Sequence, residues 1–287
     1  MPQLPERTLS VARSQATPSV GADPDGVART STPTPDRHVH VEHVMGTAVS
    51  LDVRGVAGAR ARAATDQLVA WLREVDARFS PFRHDSEICR IDRGELLRAE
   101  ASDDVRAILD RCERLSAETG GAFDVYARGP LDPSALVKGW AAQRGAQLLA
   151  AAGLTDFCLN AGGDVVVRGG ARPHDTWRIG IRHPRDPQAI ARAIALTDGA
   201  VATSGLYERG DHLVDPRTGA APEDVLSVTV TGPDLGLADA YSTAAFAMGA
   251  AGPAWTLTLP ARGYEAMTVR ADDRVLSTPG FPPAPAS

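Results

Sequence analysis

Cysteine is scarce in this chain: three in 287 residues, Cys89, Cys112 and Cys158. An odd count at wide spacing is neither a disulfide framework nor a zinc-ligand pattern, so the three read as small buried thiols. No run approaches the ~18 consecutive apolar residues of a membrane-spanning helix. A basic surplus is missing as well, with 30 Lys and Arg against 36 Asp and Glu, a formal net charge of −6 and a pI near 5.6. That balance excludes a general electrostatic attraction to nucleic acid. An anionic ligand would have to be held by local donors or a metal ion. Gly-x-Ser-x-Gly, His-Glu-x-x-His and Gly-x-Gly-x-x-Gly are absent, which argues against a nucleophile-elbow hydrolase, a zinc protease and a Rossmann dinucleotide site. Residues 1–37 are rich in Pro, Ser, Thr and charge and carry no apolar signal-type core. They predict a disordered arm on a cytoplasmic protein. The Pro/Ala-rich residues 280–287 predict a loose tail.

What is present suits a folded domain over residues 38–279. Hydrophobic residues make up 43% and charged residues 23%, the balance of an ordinary soluble protein with room for one substantial core. Apolar spacing predicts a helix over 59–78, with Ala64, Leu68, Trp71, Leu72 and Val75 on one face. A second helix is expected over 103–119, a third over 135–152 closed by Gly153, and a last over 239–248. Residues 41–53 read as a strand interrupted at Met45-Gly46. Residues 157–160 and 164–168 read as a hairpin around Ala161-Gly162-Gly163. Further strands are expected at 177–181, 191–196, 201–204, 212–214 and 225–231. Helices interleaved with short, hairpin-linked strands define an α+β fold rather than a doubly wound parallel sheet.

Several segments carry chemistry. In Asp239-Ala240-Tyr241-Ser242-Thr243 a helix would set a carboxylate and a hydroxyl four residues apart on one face, with Ser242 beside them. Hard cations such as Mg²⁺ take oxygen ligands of this kind, although an Asp near a helix start equally serves as a cap. Asp132-Pro133-Ser134-Ala135-Leu136-Val137-Lys138-Gly139 places an acid, a tight turn and a lysine at a helix start. Such a start offers N–H groups and a point charge to an anion, or is simply a capped helix with a surface lysine. The glycines of a P-loop are missing before the lysine. Thr119-Gly120-Gly121-Ala122-Phe123-Asp124 lets a ligand approach bare backbone, or ends a helix before a core Phe. Asn160-Ala161-Gly162-Gly163-Asp164 is a hairpin turn that also leaves bare backbone. Thr203-Ser204-Gly205 precedes His212-Leu213-Val214-Asp215-Pro216-Arg217-Thr218-Gly219, a strong turn signal. His212 there suits proton transfer, phosphate contact or a purely structural hydrogen bond. Met45-Gly46-Thr47 and the loop from Phe79 to Ile88 either flank a ring system or sit in the core.

Taken in order, six of these segments resemble the ApbE-like family of FAD:protein FMN transferases over about residues 43–249. They are Ala122 to Asp124, Asp132 to Gly139, Asn160 to Asp164, Thr203 to Gly205, His212 to Gly219 and Ala238 to Thr243. The resemblance implies a two-lobed fold with antiparallel or mixed sheets, packed helices and an active site between the lobes. It implies a Mg²⁺-dependent enzyme that cleaves FAD at the pyrophosphate, attaches FMN through a phosphoester to a Ser or Thr of a target flavoprotein, and releases AMP. It places metal ligands on the backbone oxygen of Ala135 and on Asp239, Ser242 and Thr243. FAD contacts fall on Met45, Ala122, Phe123, Asp124, Asp132, Lys138 and Leu213. His212 and Asp215 are the candidates for a general base near the attacking hydroxyl, and His212 is equally a candidate for positioning FAD. The chain departs from the family pattern in the short run from Phe123 to Asp132, and at Val137, Trp140 and Gln143. The shortened loop keeps two alternatives open: an FAD pyrophosphatase yielding FMN and AMP, and a carrier that binds FAD without turnover.

Overall fold

The computed structural model describes residues 6–8, 37–56, 58–172, 175–205 and 214–285. The strands are β1 (Glu6–Thr8), β2 (Arg37–Val44), β3 (Thr47–Arg54), β4 (Asp156–Ala161), β5 (Asp164–Arg168), β6 (Trp177–His183), β7 (Asp186–Leu196), β8 (Gly199–Gly205), β9 (Val225–Gly232), β10 (Glu265–Arg270) and β11 (Arg274–Ser277). Nine of them form one sheet in the order β1-β11-β10-β9-β8-β5-β4-β3-β2, and β6 and β7 form a separate ribbon. Every described strand pair is antiparallel. Between β3 and β4 the chain inserts α1 (Gly58–Phe79), α2 (Glu87–Asp92), α3 (Asp103–Glu118) and α4 (Ser134–Ala151). Between β9 and β10 it inserts α5 (Leu235–Ala247) and α6 (Gly252–Thr256).

Strand alternation explains the layering. Val166, Ala200, Ala202 and Ala266 point into a large core shared with the helices. Their neighbours Val165, Val167, Val201, Met267 and Val269 point to the opposite face, which Trp177, Ile181 and Ile194 of the β6–β7 ribbon cover. With both faces covered, central strands read as near-continuous apolar runs, as in Val165-Val166-Val167. Helix α5 lies on β8 and β9, and α4 lies between α1 and α5. Nearly every residue of α5 is buried, so this helix runs through the middle of the core, with the polar Asp239, Ser242 and Thr243 where it meets the site.

That burial corrects the expected start of the last helix. It begins at Leu235, with Asp234 as N-cap accepting the Leu237 N–H at 2.9 Å. Asp239 therefore sits in the second turn and caps nothing. Leu235, Gly236 and Ala238 are all buried and carry no amphipathic signal, which is why the periodicity concealed the first turn. Arg111 of α3 also reaches Asp234, at 3.2 Å, and Gln143 of α4 accepts the Leu235 N–H at 2.9 Å. Helices α4 and α5 touch through glycine. A Cβ on Gly139 would lie 2.6 Å from the Leu235 carbonyl oxygen, and one on Gly236 would lie 3.1 Å from the Trp140 nitrogen.

The expected strand over 41–53 is a hairpin, β2 and β3, turned at Met45 and Gly46 with φ of 55° and 68°. Two positive φ values suit the right-handed twist of paired strands. The β4–β5 hairpin stands as expected, with its turn glycines at φ of 63° and 104°. Of the strand expected at 212–214, residues 212 and 213 lie outside the described residues and Val214 is not in a strand. β10 and β11 had no counterpart in the sequence reading. Two expectations at the termini change. Glu6–Thr8, inside the segment read as a disordered arm, pairs with β11. Phe281, in the segment read as a loose tail, is buried, with the Arg192 guanidinium 5.4 Å from its ring centre. Cys112 is buried and Cys89 and Cys158 half-buried, and burial pushes the Cys112 thiol up to about 12 and the Cys158 thiol up to about 11. No helix among the described residues is long and apolar enough to cross a membrane.

Removing the α5 cap tests this account. Asp234→Ala is expected to cost about 1 kcal/mol and to lower Tm by about 2–4 °C in a thermal melt. An unchanged Tm would mean that α5 is held without its cap.

Candidate active site

A cavity of about 180 Å³ opens where the first turns of α4 meet the end of β8 and the cavity-facing side of α5. α4 contributes Ser134, Ala135 and Lys138, β8 contributes Thr203, Ser204 and Gly205, and α5 contributes Asp239, Thr243 and Ala247. The loop from Ala122 to Asp132 and the residues Val214 and Pro216 complete the wall. Asp132 holds the start of α4 by accepting the Ser134 N–H at 2.9 Å. Ala122 and Phe123 are buried, and Phe123 is anchored by its N–H donating to Thr119 Oγ1 at 3.0 Å.

The polar centre of the cavity is an ammonium between two carboxylates. Lys138 Nζ lies 2.5 Å from Asp164 Oδ2 and 3.8 Å from Asp239 Oδ2. Asp164 has no exposed surface, and its other oxygen accepts the Thr203 N–H at 3.2 Å. Next to this triad stands a hydroxyl cluster. Ser204 Oγ lies 2.9 Å from Ser242 Oγ and 3.2 Å from Thr243 Oγ1, and Ser242 donates to the Asp239 carbonyl at 2.9 Å. Two carboxylates against one ammonium leave a net negative, oxygen-rich centre. Among the described residues no group of three His, Cys, Asp or Glu side chains forms a ready metal cage. Asp239 with neighbouring hydroxyl oxygens instead fits a hard cation that keeps several ligands from phosphate and water. Among the described residues no His or Cys lines the cavity, so the nitrogen and sulfur ligands of a structural zinc site are lacking there.

A second cavity of about 440 Å³ adjoins the first, and both are lined by Ser134 and Lys138. Its walls are Met45 and Gly46 of the β2–β3 turn, Val75, Asp76 and Phe79 of α1, the loop Ser80-Pro81-Phe82, and Val137. Phe82 is 90% exposed, an aromatic ring presented to solvent at this rim. Trp140 fixes the wall from behind, with its ring centre 5.3 Å from that of Trp71 and 5.4 Å from that of Phe79.

The sequence candidates sort clearly. Ala122, Phe123, Asp124, Asp132, Ala135, Lys138, Asp239 and Thr243 line one cavity, and Met45 lines its neighbour. Ser242 stands behind them, fully buried in the hydroxyl cluster. His212 and Leu213 lie outside the described residues. Asp215 flanks the wall between Val214 and Pro216, with both carboxylate oxygens taken by Arg217 at 2.8 and 2.7 Å. That pairing holds Asp215 below the usual carboxylate range. Sequence reasoning missed Asp164 as the lysine's partner. The one hint was an acid placed directly after a Gly-Gly turn, where the next strand is wholly apolar. Ser204, within the expected Thr203–Gly205 segment, lines the wall, while Arg128 was missed; nothing in its local pattern marks it.

An antiparallel sheet backed by buried helices carries an oxygen-rich cluster beside a lysine where two cavities adjoin. The profile of the ApbE family matches residues 45–129 and 126–267, and the chain belongs to that family. The FAD:protein FMN transferase of Rhodobacter capsulatus is 41% identical over 125 residues, which span 40% of this chain and 23% of that protein. The FAD:protein FMN transferase of Treponema pallidum is 31% identical over 206 residues, which span 62% and 57% of the respective chains. The matches to these two relatives thus cover less than two thirds of their length. Among solved structures, the flavin transferase ApbE from Vibrio cholerae superposes with a TM-score of 0.75 at 22% identity, covering 86% of this chain and 98% of that one. The ApbE protein from Thermotoga maritima gives the same score and coverage at 23% identity. At such identities the likeness is one of fold.

The buried triad is open to a direct test. Lys138→Met leaves two buried carboxylates without their shared cation and is expected to destabilise the chain by about 3–5 kcal/mol in urea unfolding. Adding Asp164→Asn is expected to recover part of that loss. A single-variant cost below about 1 kcal/mol would show that Lys138 is not the counter-ion of the site.

Proposed function

We propose that this chain is a Mg²⁺-dependent FAD:protein FMN transferase, which splits FAD at its pyrophosphate, joins FMN by a phosphoester to a Ser or Thr hydroxyl of a flavoprotein and releases AMP. The observation that carries the reading is the Lys138–Asp164–Asp239 centre, with Ser204, Ser242 and Thr243 beside it, at the junction of two cavities. A dinucleotide has two bulky ends and a charged middle. Two pockets meeting at a lysine match that shape, and named relatives carry the activity.

Asp239, Thr243, Ser242 and the Ala135 carbonyl are the residues that would hold the metal. Bound there, Mg²⁺ supplies charge neutralisation of the phosphates and stabilisation of the leaving group. The chain's own residues orient the reactants. Lys138 draws the pyrophosphate to the cavity junction, and the first turn of α4 offers it N–H groups. The buried Phe123 wall and the Met45–Phe82 rim give apolar surface to the ring systems. Asp164, 2.5 Å from the Lys138 Nζ, keeps that side chain aimed. His212 remains the candidate for taking the proton from the attacking hydroxyl. Asp215, committed to Arg217, is assigned to holding the rim turn, where its backbone also accepts the Gly219 N–H at 2.8 Å.

The defining experiment incubates the protein with FAD, Mg²⁺ and a flavoprotein domain carrying an acceptor Thr, and reads intact mass. A gain of one FMN, lost in EDTA and in Asp239→Ala, is expected. Free FMN and AMP without acceptor labelling would mark a pyrophosphatase, and tight FAD binding with no AMP release would mark a carrier. Asp215→Asn is expected to lose less than the ~100-fold that removing a general base costs, across pH 5–9. Its carboxylate, already depressed, is ionised throughout that range, so any stabilisation it gives is lost only as pH falls below the usual carboxylate value. A larger loss would return the proton-accepting role to Asp215.

A further inference from the structure

Among the described residues, two cations line the smaller cavity, Lys138 and Arg128. Lys138 is already engaged, held against Asp164 and near Asp239. Arg128 makes no ion pair with any described residue. The carboxylates of Asp124, Asp132 and Asp239 line the same space, so the wall alone repels an anion. A doubly charged pyrophosphate there gains most from a cation that no carboxylate has claimed.

The loop carrying Arg128 is short and tied down. Tyr126 N–H donates to Asp124 Oδ1 at 2.8 Å, and Asp132 N–H to the Val125 carbonyl at 2.8 Å. Gly129 N–H donates to the Tyr126 carbonyl at 2.9 Å, and Leu131 N–H to Asp92 Oδ1 at 2.9 Å. Gly129 turns the chain at φ 94°. Binding an anion therefore orders only the arginine side chain, not the loop. Guanidinium geometry matches a phosphate through two parallel N–H donors, which an ammonium cannot copy.

We infer that Arg128 binds a phosphate group of the dinucleotide and sets the preference of this site for phosphate-bearing flavins and nucleotides. The inference rests on the flavin-transferase reading for its ligand, and on the shortened loop for its position. Arg128 is exposed and unpaired among the described residues, so its replacement leaves the fold intact.

The test compares wild type, Arg128→Met and Arg128→Lys for binding of FAD, ADP and riboflavin by calorimetry, in EDTA so that bound divalent ions are stripped. Loss of a charge-assisted phosphate contact is expected to weaken FAD and ADP by about 10–100-fold in Arg128→Met, and to leave riboflavin, which has no phosphate, unchanged. Arg128→Lys is expected to recover only part of the loss. Equal FAD, ADP and riboflavin affinities in wild type and Arg128→Met overturn the inference. So does a variant that binds FAD normally but no longer labels the acceptor, which would make Arg128 a docking residue for the partner. ADP binding that depends on Arg128 in a protein that transfers no FMN would uphold the phosphate contact and sink the transferase reading alone.

Discussion

The site depends on how closely α4 and α5 approach. Lys138 rides on one helix and Asp239 on the other, and the two helices cross at Gly139 and Gly236, next to the lysine and three residues before the acid. With any side chain at 139, the Leu235 carbonyl would have to retreat. The ammonium and the carboxylate would then separate, and the oxygen cluster beside them would open. Backbone contact at a glycine is stiffer than contact between side chains, because it leaves no rotamer to adjust. The spacing of the site is thus written into the main chain of the core rather than into flexible surface groups.

Under the proposed function, an acidic protein that takes an anionic substrate must solve a local problem. The chain carries a net charge of −6, and its cavity wall adds carboxylates of its own. A surplus of oxygen ligands is the kind of site that suits a hard divalent ion, and under the proposed function such an ion would make the wall hospitable to phosphate. Lys138 and Arg128 divide the remaining work between a buried point charge and a forked donor at the rim. Asp164, fully buried, holds the Lys138 ammonium in place at 2.5 Å.

Much of this was legible in the sequence, for reasons that can be named. Helices α1 and α3 announced themselves by spacing, since each has one apolar face and one wet one, and α4 was marked by Gly153 at its end. The β4–β5 hairpin was marked by its glycine pair, and the cavity-facing residues by the order of six short segments. The start of α5 was hidden because a helix buried on all sides has no polar face to set its phase. β10 and β11 were hidden because a short strand buried on both sides looks like any apolar run. Asp164 had a place in the Asn160–Asp164 segment but no partner, because its pairing depends on a lysine 26 positions earlier that the fold brings beside it. The family departures became intelligible only in three dimensions: Val137 walls the second cavity, Trp140 is wedged between Trp71 and Phe79, and Gln143 accepts the Leu235 N–H.

Gln143 sits one helical turn beyond Gly139, and both address the same first turn of α5. Four positions, two on each helix, therefore behave as a single joint. Anyone building a chimera between this chain and a relative should move the joint whole: α4 transplanted alone would arrive with the wrong socket for α5. Inheritance faces the same constraint, so a lineage that changed one half of this joint would survive only by changing the other.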